Sequence, residues 1–366
     1  MAIVLDNQYW QKFNVKEIRR PPFKQPLFLL KNFFNLEPEW LPERVNKVEF
    51  LDIMYESARY TKEGAEPENT QPFSRGVGII EIPRLTLAFN LDASMLKQRV
   101  VGEGKTGPVT AEVLNMRKRY YLTKAATVLK EDLFLALEKQ AAELLQTGKI
   151  KIEEYANGKL SRESEAVFGT DIAVTANNKW DSPTTDIIAE IEKYGTEITL
   201  QNRGNPPNTL ILGHKAYLEF RKHPLINEML KTDKGIKYGD IKFSDIKHRQ
   251  GAIYVGKLAF GLAGDLEIVC YNGNTQENYD KTGNPTDIIQ LIDPKKIILC
   301  NTNMGTRYYT DVHKVDNNGD YYSVNGYEDL SFSFDIEART SKVAVESNSL
   351  IAPMTNDTWR CVEVLA

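Results

Sequence analysis

The sequence predicts an α+β fold in which one long helix, several hairpins and a central α/β block share a single chain. A proline-free stretch from Thr110 to Lys149, whose only glycine is Gly148, is typical of a helix. The pairs Asn157-Gly158 and Asn318-Gly319 stand between strand-like runs and favour type I′ turns, which need positive φ at both central residues. Between Ser182 and Cys300, apolar strands alternate with helical segments.

The composition is that of a soluble globular protein. The 366 residues, with 42% apolar and 26% charged side chains, are enough for two or three domains with real cores. The net charge of −4 provides no overall basic field that would call for nucleic acid. No run approaches a membrane span, the amino-terminal apolar stretch is too short for a signal peptide, and the three cysteines lie far apart. We therefore expect a protein of a reducing cytoplasm.

The first 48 residues predict an arm that lies across another surface. They carry five prolines and several aromatic residues, but they show no regular alternation. The stretch PLFLLKNFF, Pro26–Phe34, fits one short amphipathic helix. A segment with this much apolar surface and this many prolines cannot build a core of its own. The alternative is that the helix packs on its own domain.

The next segment predicts a long hairpin with a polar tip. Val48–Tyr55 and Gly76–Leu91 have the β-branched content and partial alternation of strands, and the polar stretch Glu56–Gln71 separates them. Pro83 in the second run indicates a sheet edge or a bulge, because proline has no N–H to donate. An isolated hairpin is marginal, so we expect this one to find its partner on another molecule.

The stretch between Thr110 and Gly148 predicts a single helix about 57 Å long, at 1.5 Å per residue. Thr110 is a candidate N-cap and Gly148 a candidate C′ residue. Apolar residues recur on one face at the helical period, namely Leu122, Ala125, Ala126, Leu129, Leu133, Ala136, Leu137 and Leu144. Basic residues near the start and acidic residues near the end oppose the helix dipole, so contacts outside the helix must offset that cost.

The central block begins with SPTTDIIAEIEKYG, Ser182–Gly195, which predicts a helix with Ser182 as N-cap and Pro183 at its first position. The runs that follow predict a buried strand with a helix after it and then further strands: Asn208–Leu230, Leu258–Gly273 and Lys295–Cys300. We expect the chain to leave one domain, build a second and return to the first.

No stretch of the sequence predicts a catalytic, metal or cofactor site. GEGKTG, Gly102–Gly107, resembles a phosphate-binding loop, but Arg99 stands where that motif needs glycine, which favours a flexible hinge before the helix. DNNGD, Asp316–Asp320, has its glycine in the fourth place rather than the sixth place of a calcium loop, which favours a hairpin turn. The histidines have no ligand spacing, and no serine or cysteine has a nucleophile context. We therefore expect a structural or binding role.

Five stretches, spread in order over nearly the whole chain, carry a family resemblance: PLFLLKNFF (Pro26–Phe34), NKWDSPTTDI (Asn178–Ile187), EIVCYNG (Glu267–Gly273), PKKIILCN (Pro294–Asn301) and VESNSLIAPMTNDTWRCVEVLA (Val345–Ala366). Together with the order of arm, hairpin, long helix and α/β block, they resemble a tailed-bacteriophage major capsid protein. The resemblance is to the phage lambda type, the major head protein or capsid protein E family. It rests on colinearity rather than on any single motif.

The resemblance implies a Hong Kong 97-type phage capsid fold. Its parts would be an amino-terminal arm (1–48), an extended β-hairpin loop (49–98), a peripheral domain (99–177) with the helix 110–148 as its spine, an α/β axial domain (178–305), and a return to the peripheral domain with a final axial strand (306–366). The long helix would then set the length of a flat subunit, while the arm and the hairpin reach neighbours.

The implied function is structural and not enzymatic. Pentamers and hexamers would form an icosahedral shell around double-stranded phage DNA in the virion, assembled in the host cytoplasm. The partners would be further copies of the chain, a separate scaffold protein, a portal protein, a decoration protein and DNA bound non-specifically, with no membrane. Intersubunit contacts are expected at aromatic residues of the arm and charged residues of the hairpin: Phe28, Phe33, Phe34, Arg59, Lys62, Glu63, Glu66, Arg75 and Arg84.

Two alternatives from other classes stay open at this point. One is a cellular nanocompartment shell protein of the same fold, which a protein cargo inside purified particles would reveal. The other is a nucleotide-binding enzyme, which a nucleotide titration would detect.

We predict that replacing the hairpin tip, Ala58–Asn69, with a short glycine-serine turn leaves a folded subunit that assembles poorly. The tip carries charges of both signs and little apolar surface, and each exposed ion pair that it forms with a neighbour contributes about 0–1 kcal/mol, repeated over a whole shell. Particle yield and heat resistance at low and high salt measure the effect. Shortened chains that form shells of normal yield and heat resistance would show that the tip is not needed.

Overall fold

A computed structural model describes residues 27–53, 73–97, 100, 110–156, 159–169, 172–202, 204–226, 236–238, 251–260, 264–279, 285–315, 320–335, 340–354 and 358–366. The helices are α1 (Phe28–Phe33), α2 (Ala111–Thr147), α3 (Ile187–Gln201) and α4 (His214–Lys222), and a 3₁₀ turn spans Met95–Lys97. Among the helices in these ranges, none combines the length and the apolar character needed to cross a membrane.

The strands are β1 (Glu39–Trp40), β2 (Val45–Ile53), β3 (Phe73–Glu81), β4 (Arg84–Leu91), β5 (Lys149–Ala156), β6 (Lys159–Val167), β7 (Ala173–Thr175), β8 (Thr209–Leu212), β9 (Ile236–Tyr238), β10 (Ala252–Phe260), β11 (Gly264–Tyr271), β12 (Asn274–Tyr279), β13 (Pro285–Gln290), β14 (Lys296–Cys300), β15 (Gly305–Tyr309), β16 (Val312–Val315), β17 (Tyr321–Val324), β18 (Asp329–Asp335), β19 (Thr340–Pro353) and β20 (Arg360–Glu363).

A seven-stranded mixed sheet has the order β7-β20-β14-β8-β11-β10-β9. Its central strand β8 is buried along its whole length, as expected for a short apolar run covered on both faces. Apolar residues of α3 and α4, including Ile191, Ile198 and Phe220, pack with Leu210 and Leu212 of β8 in one core cluster. The predicted α/β character of this part of the chain is confirmed.

A five-stranded sheet has the order β1-β15-β19-β18, and β4 also pairs with β19. The middle of α2 lies on this sheet, where Ala126, Leu129 and Leu133 form a core cluster with Val343 and Val345 of β19. Strand β19 takes part in every antiparallel pairing of the sheet, with β15, β18 and β4. Helix α2 packs on this strand.

Helix α2 confirms the long helix predicted from the sequence. The Thr110 hydroxyl accepts a hydrogen bond from the Val113 N–H at 3.3 Å, which caps the amino terminus. Gly148 ends the helix with φ +74° and donates its N–H to the Leu144 carbonyl at 2.8 Å. In the carboxyl-terminal half, buried Leu137 and Leu145 belong to a core cluster that includes side chains from both large sheets.

Four two-stranded ribbons accompany the large sheets in the described part of the chain: β2–β3, β5–β6, β12–β13 and β16–β17. The ribbons β5–β6 and β16–β17 confirm the two hairpins predicted from their Asn-Gly pairs, and those turn residues lie outside the described ranges. In β16–β17 the last pair is Val315 opposite Tyr321, so the connection is longer than the expected two-residue turn.

The start of α3 differs from the prediction. The helix begins at Ile187, with the Asp186 carboxylate accepting from the Ala189 N–H at 3.0 Å. Ser182 and Pro183 belong to a preceding turn, closed by a hydrogen bond of 3.2 Å from the Thr185 N–H to the Ser182 carbonyl. Because residues 182–185 form this turn, the first turn of the helix is capped by the Asp186 carboxylate instead.

The run Gly76–Leu91, predicted as one strand, forms parts of two strands in different sheets. β3 pairs with β2, whereas β4 pairs with β19. Pro83 lies between them, next to fully buried Ile82, whose N–H donates to the Arg44 carbonyl at 2.9 Å. Because proline cannot donate to a ladder, the chain changes sheets at this point.

We predict that Gly148→Ala destabilises the unassembled subunit more than Gly204→Ala does. Both glycines have positive φ, +74° and +88°, so each alanine meets a backbone penalty of about 1–2 kcal/mol. A Cβ at Gly148 would also lie 2.5 Å from the Gly169 carbonyl oxygen, whereas one at Gly204 meets no described atom within 4 Å. Chemical denaturation gives both free energies of unfolding, and equal losses would contradict the expected steric contribution at the end of α2.

Candidate assembly surfaces

A buried carboxylate on α2 joins three parts of the chain. Glu138 has no exposed surface, and its two oxygens accept the backbone N–H groups of Leu29 and Leu30, each at 2.8 Å. The Tyr271 hydroxyl of β11 donates to the same carboxylate at 2.9 Å. Leu27, at the N-cap position of α1, has no side-chain acceptor, so Glu138 satisfies N–H groups that the first turn of α1 leaves open.

This environment changes the titration of the carboxyl. Burial raises the pKa of Glu138 to about 7, because the charged form loses its hydration, while the hydrogen bonds from Leu29, Leu30 and Tyr271 act in the opposite direction. Burial and the adjacent carboxylate together raise the pKa of Tyr271 well above its ordinary value. Tyr271 therefore remains a hydrogen-bond donor to Glu138 throughout the physiological range.

The three phenylalanines predicted to contact neighbours fill the core of their own subunit. Phe28 and Phe33 are fully buried and Phe34 is nearly so. The Phe28 ring lies edge-on to Phe33, with centroids 5.6 Å apart, and is tilted against Tyr271 at 5.8 Å. For α1, the structure therefore shows the alternative, a helix packed on its own domain. The expected intersubunit role of these rings is corrected, because they have almost no surface to offer a neighbour.

The charged residues predicted to contact neighbours fall into two groups. Four of them lie outside the described residues, namely Arg59, Lys62, Glu63 and Glu66. Arg75 is in β3, where it pairs with Leu51, and Arg84 begins β4 with its guanidinium 3.1 Å from a Glu346 carboxylate oxygen. Half of the Arg84 side chain is exposed. The roles of these charged residues between subunits stay predictions.

An ionic network, which the sequence did not reveal, ties the base of the β2–β3 ribbon to the β5–β6 ribbon. Arg162 of β6 forms a two-pronged pair with Glu81 at the end of β3, with N···O distances of 2.6 and 2.8 Å. Arg44 pairs with Glu154 of β5 and donates its Nε–H to the Ile82 carbonyl at 3.1 Å. The network holds the base of the β2–β3 ribbon against the β5–β6 ribbon.

Two ribbons expose an apolar pair beside their turns, which the sequence analysis also missed. In β5–β6, Tyr155 stands opposite Leu160, and in β16–β17, Val315 stands opposite Tyr321. The exposed fractions are 63%, 51%, 54% and 85% in that order. Each pair is small, but it leaves apolar surface at the end of the ribbon available for contact with another molecule. The signal that could have found them is an apolar residue on each side of an Asn-Gly turn.

We name a third surface the aromatic cleft. It has a volume of about 490 Å³ and is lined by Pro38, Lys130, Tyr309, Asn325, Tyr327 and Glu328. The rings of Tyr309 and Tyr327 meet edge to face, with centroids 5.5 Å apart. Lys130 of α2 forms an ion pair with Glu328. The cleft therefore combines proline and tyrosine surfaces with one ion pair.

Neighbouring residues support the aromatic cleft. The buried Arg307 guanidinium lies 3.9 Å from the Tyr327 ring centroid and donates to the Ser347 and Ser349 hydroxyls at 3.0 Å each. Trp40 pairs in register with Tyr309, is 52% exposed, and donates its indole N–H to Asp311 at 3.0 Å. The Tyr327 ring is thus packed against the Arg307 guanidinium, and the exposed Trp40 lies beside Tyr309.

The described residues give no support to a metal site or a reactive thiol. No cluster of three His, Cys, Asp or Glu residues in these ranges is arranged to hold a metal ion. The free thiols of Cys270, Cys300 and Cys361 are buried, and burial raises the pKa of Cys270 to about 11 and that of Cys361 to about 12. Neutral, buried thiols are poor nucleophiles. The sequence GEGKTG, residues 102–107, lies outside the described ranges.

Comparison with protein families identifies the chain. A model of the family described as phage major capsid protein E matches residues 17–326. The chain belongs to this family. The match covers most of the chain, includes four of the five colinear stretches, and confirms the predicted family. This chain is therefore a structural protein, the major capsid protein of a bacteriophage. A comparison with curated protein sequences finds no match.

Solved structures share the fold of this capsid protein. A protein assigned as the capsid protein of an E. coli CFT073 prophage has a TM-score of 0.58 at 16% identity, over 98% of both chains. The capsid of a native GTA particle has a TM-score of 0.50 at 11% identity, over 100% of this chain and 99% of that one. At such low identity these likenesses show the fold alone, which is the expected Hong Kong 97-type capsid fold. The SrpI encapsulin of Synechococcus elongatus PCC 7942 has a TM-score of only 0.46 at 11% identity, over 100% of this chain and 96% of that one, which carries no argument for a nanocompartment.

We predict that Glu138→Gln removes a pH dependence from the stability of the unassembled subunit. Because the folded pKa, about 7, is above the ordinary value of 4.5, the folded state holds the proton more tightly than the unfolded chain does. The contribution of Glu138 to stability is therefore greatest below about pH 4.5 and falls, by roughly 3 kcal/mol in total, as pH rises to about 7. Glutamine does not titrate and abolishes that slope.

The measurement is the free energy of unfolding by denaturant between pH 5 and pH 8. Glu131→Gln, on the same helix but accessible to solvent, is the matched control and should keep the wild-type slope. Glu138→Gln should also cost about 1–3 kcal/mol at pH 8, because the amide nitrogen faces a backbone N–H that then lacks an acceptor. An unchanged slope in Glu138→Gln would show that this carboxyl does not titrate as its burial requires.

Proposed function

We propose that this major capsid protein assembles as pentamers and hexamers into an icosahedral shell that encloses double-stranded phage DNA. The observation that carries the proposal is the family match over residues 17–326. Rings of identical subunits make heterologous contacts that close by rotation, so one chain can form both rings. The exposed apolar pairs on β5–β6 and β16–β17 support it, because repeated weak contacts add up in a closed shell.

We further propose how the parts of the fold correspond to the domains of a capsid subunit. The five-stranded sheet with α2 would form the peripheral domain, the seven-stranded sheet with α3 and α4 the axial domain, and the β2–β3 ribbon the extended loop. The core cluster at the carboxyl-terminal half of α2, with side chains from both sheets, supports one continuous subunit. The ionic network at Arg162 and Glu81 supports a loop whose base is attached to that subunit.

The proposed partners are a separate scaffold protein, a portal protein, a decoration protein and the packaged DNA, with assembly in the host cytoplasm. The net charge of −4 suits a container, because a strongly basic inner wall would hold DNA that must later be released. The structural role of the family supports the inference that the chain has no enzymatic activity.

We predict that the chain, co-expressed with the scaffold protein of its own phage, forms closed particles of uniform diameter. Without the scaffold protein, we expect a mixture of sizes and open forms, because nothing else selects the curvature. Light scattering and negative-stain microscopy measure both outcomes. A chain that stays monomeric at every salt concentration with its scaffold would contradict the proposal, and particles filled with a protein cargo would favour the nanocompartment alternative.

A further inference from the structure

We propose that a cavity between α2 and the β12–β13 ribbon, which we name the ribbon cavity, binds a carboxylate carried on a short aliphatic chain. The cavity has a volume of about 350 Å³, which lies within the range of small-ligand sites. Lys139, Glu143 and Gln146 of α2 belong to its wall, together with Thr275 and Ile289 of the ribbon. The inference goes beyond the proposed function and does not depend on assembly, because the whole wall comes from one chain.

Hydrogen bonds within the subunit hold the wall of the ribbon cavity in place. Gln146 Nε2 donates to the Ala142 and Leu291 carbonyls, at 2.9 Å each. Gln146 Oε1 accepts the Asp293 N–H at 2.9 Å. The Leu291 N–H donates to the Gly273 carbonyl at 3.0 Å. These bonds join α2 to the segment that follows β13, so a ligand does not have to order the wall when it binds.

The charges of the wall favour a single negative charge in the ribbon cavity. Lys296, at the start of β14, forms no ion pair in the part of the chain that the structure describes. Lys139 brings a second ammonium group, and Glu143 brings the one carboxylate among the described residues of the wall. Glu143 is engaged with β5, since it accepts the Lys151 N–H at 3.0 Å. A monoanion in the cavity would therefore give the partly buried Lys296 an ion-pair partner.

The end of α2, which lies beside the cavity, opposes this charge only weakly. The last carbonyl groups of a helix carry partial negative charge, which disfavours an anion close to them. In α2 the Leu144 carbonyl accepts the Gly148 N–H at 2.8 Å, and the Leu145 carbonyl accepts the Trp359 indole N–H at 3.1 Å. Both bonds reduce the exposed negative charge, and Lys139 lies about two turns before the end of the helix. The lysines therefore determine the sign of the potential in the cavity.

The other groups of the wall indicate which kind of anion fits. Ile289 and Leu291 place aliphatic surface in the wall, which suits a hydrocarbon chain better than a fully hydrated phosphate. Thr275, opposite Ile289 on the ribbon, is 2% exposed, and its hydroxyl has no hydrogen-bond partner among the described residues. A buried hydroxyl without a partner is unfavourable, and rotation of the side chain would let it donate to a carboxylate oxygen. The ligand is therefore an aliphatic carboxylate, either a free acid or an acidic side chain of another polypeptide.

Calorimetric titration of the full-length, unassembled subunit tests the site. The probe is isocaproate, and isocaproamide, which has nearly the same shape without the charge, is its control. We expect one saturable site per chain for isocaproate and at least about tenfold weaker binding of isocaproamide. Acetyl-glutamyl amide presents a carboxylate on a peptide. If it binds more tightly than isocaproate, the natural ligand is a protein side chain, and if it binds more weakly, the natural ligand is a free acid.

Matched lysine variants locate the binding site. Lys296→Met keeps the aliphatic part of the side chain and removes the ammonium group, so we expect at least about tenfold weaker binding of isocaproate. Lys295→Met is the control and should keep the wild-type affinity. The Lys295 ammonium binds the Ala366 carbonyl at 2.6 Å and does not belong to the wall of the cavity. If Lys296→Met does not fold, Lys139→Met takes its place.

Three results would overturn the inference. Equal binding of isocaproate and isocaproamide would show an apolar cavity without anion selectivity. Inorganic phosphate that binds as tightly as isocaproate would show that the site does not select carboxylates. Absence of saturable binding in the millimolar range, or equal affinities of Lys296→Met and Lys295→Met, would show that there is no such site in the cavity. Each of these results leaves the proposed function standing, because shell formation is measured separately.

Discussion

The fold depends on how the second half of α2 is buried between the two large sheets. Its apolar side chains belong to a core that side chains of both sheets share, and it also forms hydrogen bonds with polar groups from α1, from the α/β sheet and its following segments, and from the carboxyl-terminal segment. Glu138 holds the start of α1 and the Tyr271 hydroxyl, while Gln146 accepts from the Asp293 N–H and donates to the Leu291 carbonyl, both at 2.9 Å. Trp359 donates its indole N–H to the Leu145 carbonyl at 3.1 Å. The entry of the chain, the α/β sheet and the carboxyl terminus are thereby fixed to one helix.

This burial decides which surfaces are left for assembly. Composition alone suggested that the aromatic residues of α1 contact a neighbouring subunit. In the structure they are buried in the core of their own subunit. The surfaces that the described chain leaves exposed include two-stranded ribbons with exposed apolar pairs and the aromatic cleft beside Trp40. A two-stranded ribbon gains little from its own packing, so contact with another copy adds stability where the free subunit has least. Assembly and local folding are therefore coupled at these places.

Local signals predicted the regular elements well and the long-range polar contacts poorly. Thr110 caps the start of α2 and Gly148 its end, and both act on the adjacent helical turn, so the sequence alone shows where α2 begins and ends. Ser182 and Asp186 are both good caps, and the choice between them depends on a turn with Thr185 that no periodicity reveals. Glu138 looks like any other acidic residue of a charged helix, because its partners Leu29 and Tyr271 are more than 100 positions away along the chain. Burial of α1 was underestimated for the same reason, since the surface that covers it is built from distant segments.

The length of β19 has a mechanical consequence. At about 3.3 Å per residue its 14 residues extend roughly 46 Å, beside the 37-residue helix α2. Leu133 of the helix and Val343 of the strand belong to one core cluster, and the Ile351 N–H donates a hydrogen bond to Gln140 Oε1 at 3.4 Å. Helix and strand are therefore packed side by side. The ladder bonds of β19 run across the strand direction, so tension applied along the strand loads them together in shear. Separation of β19 from its neighbours then requires many hydrogen bonds to fail together rather than one after another.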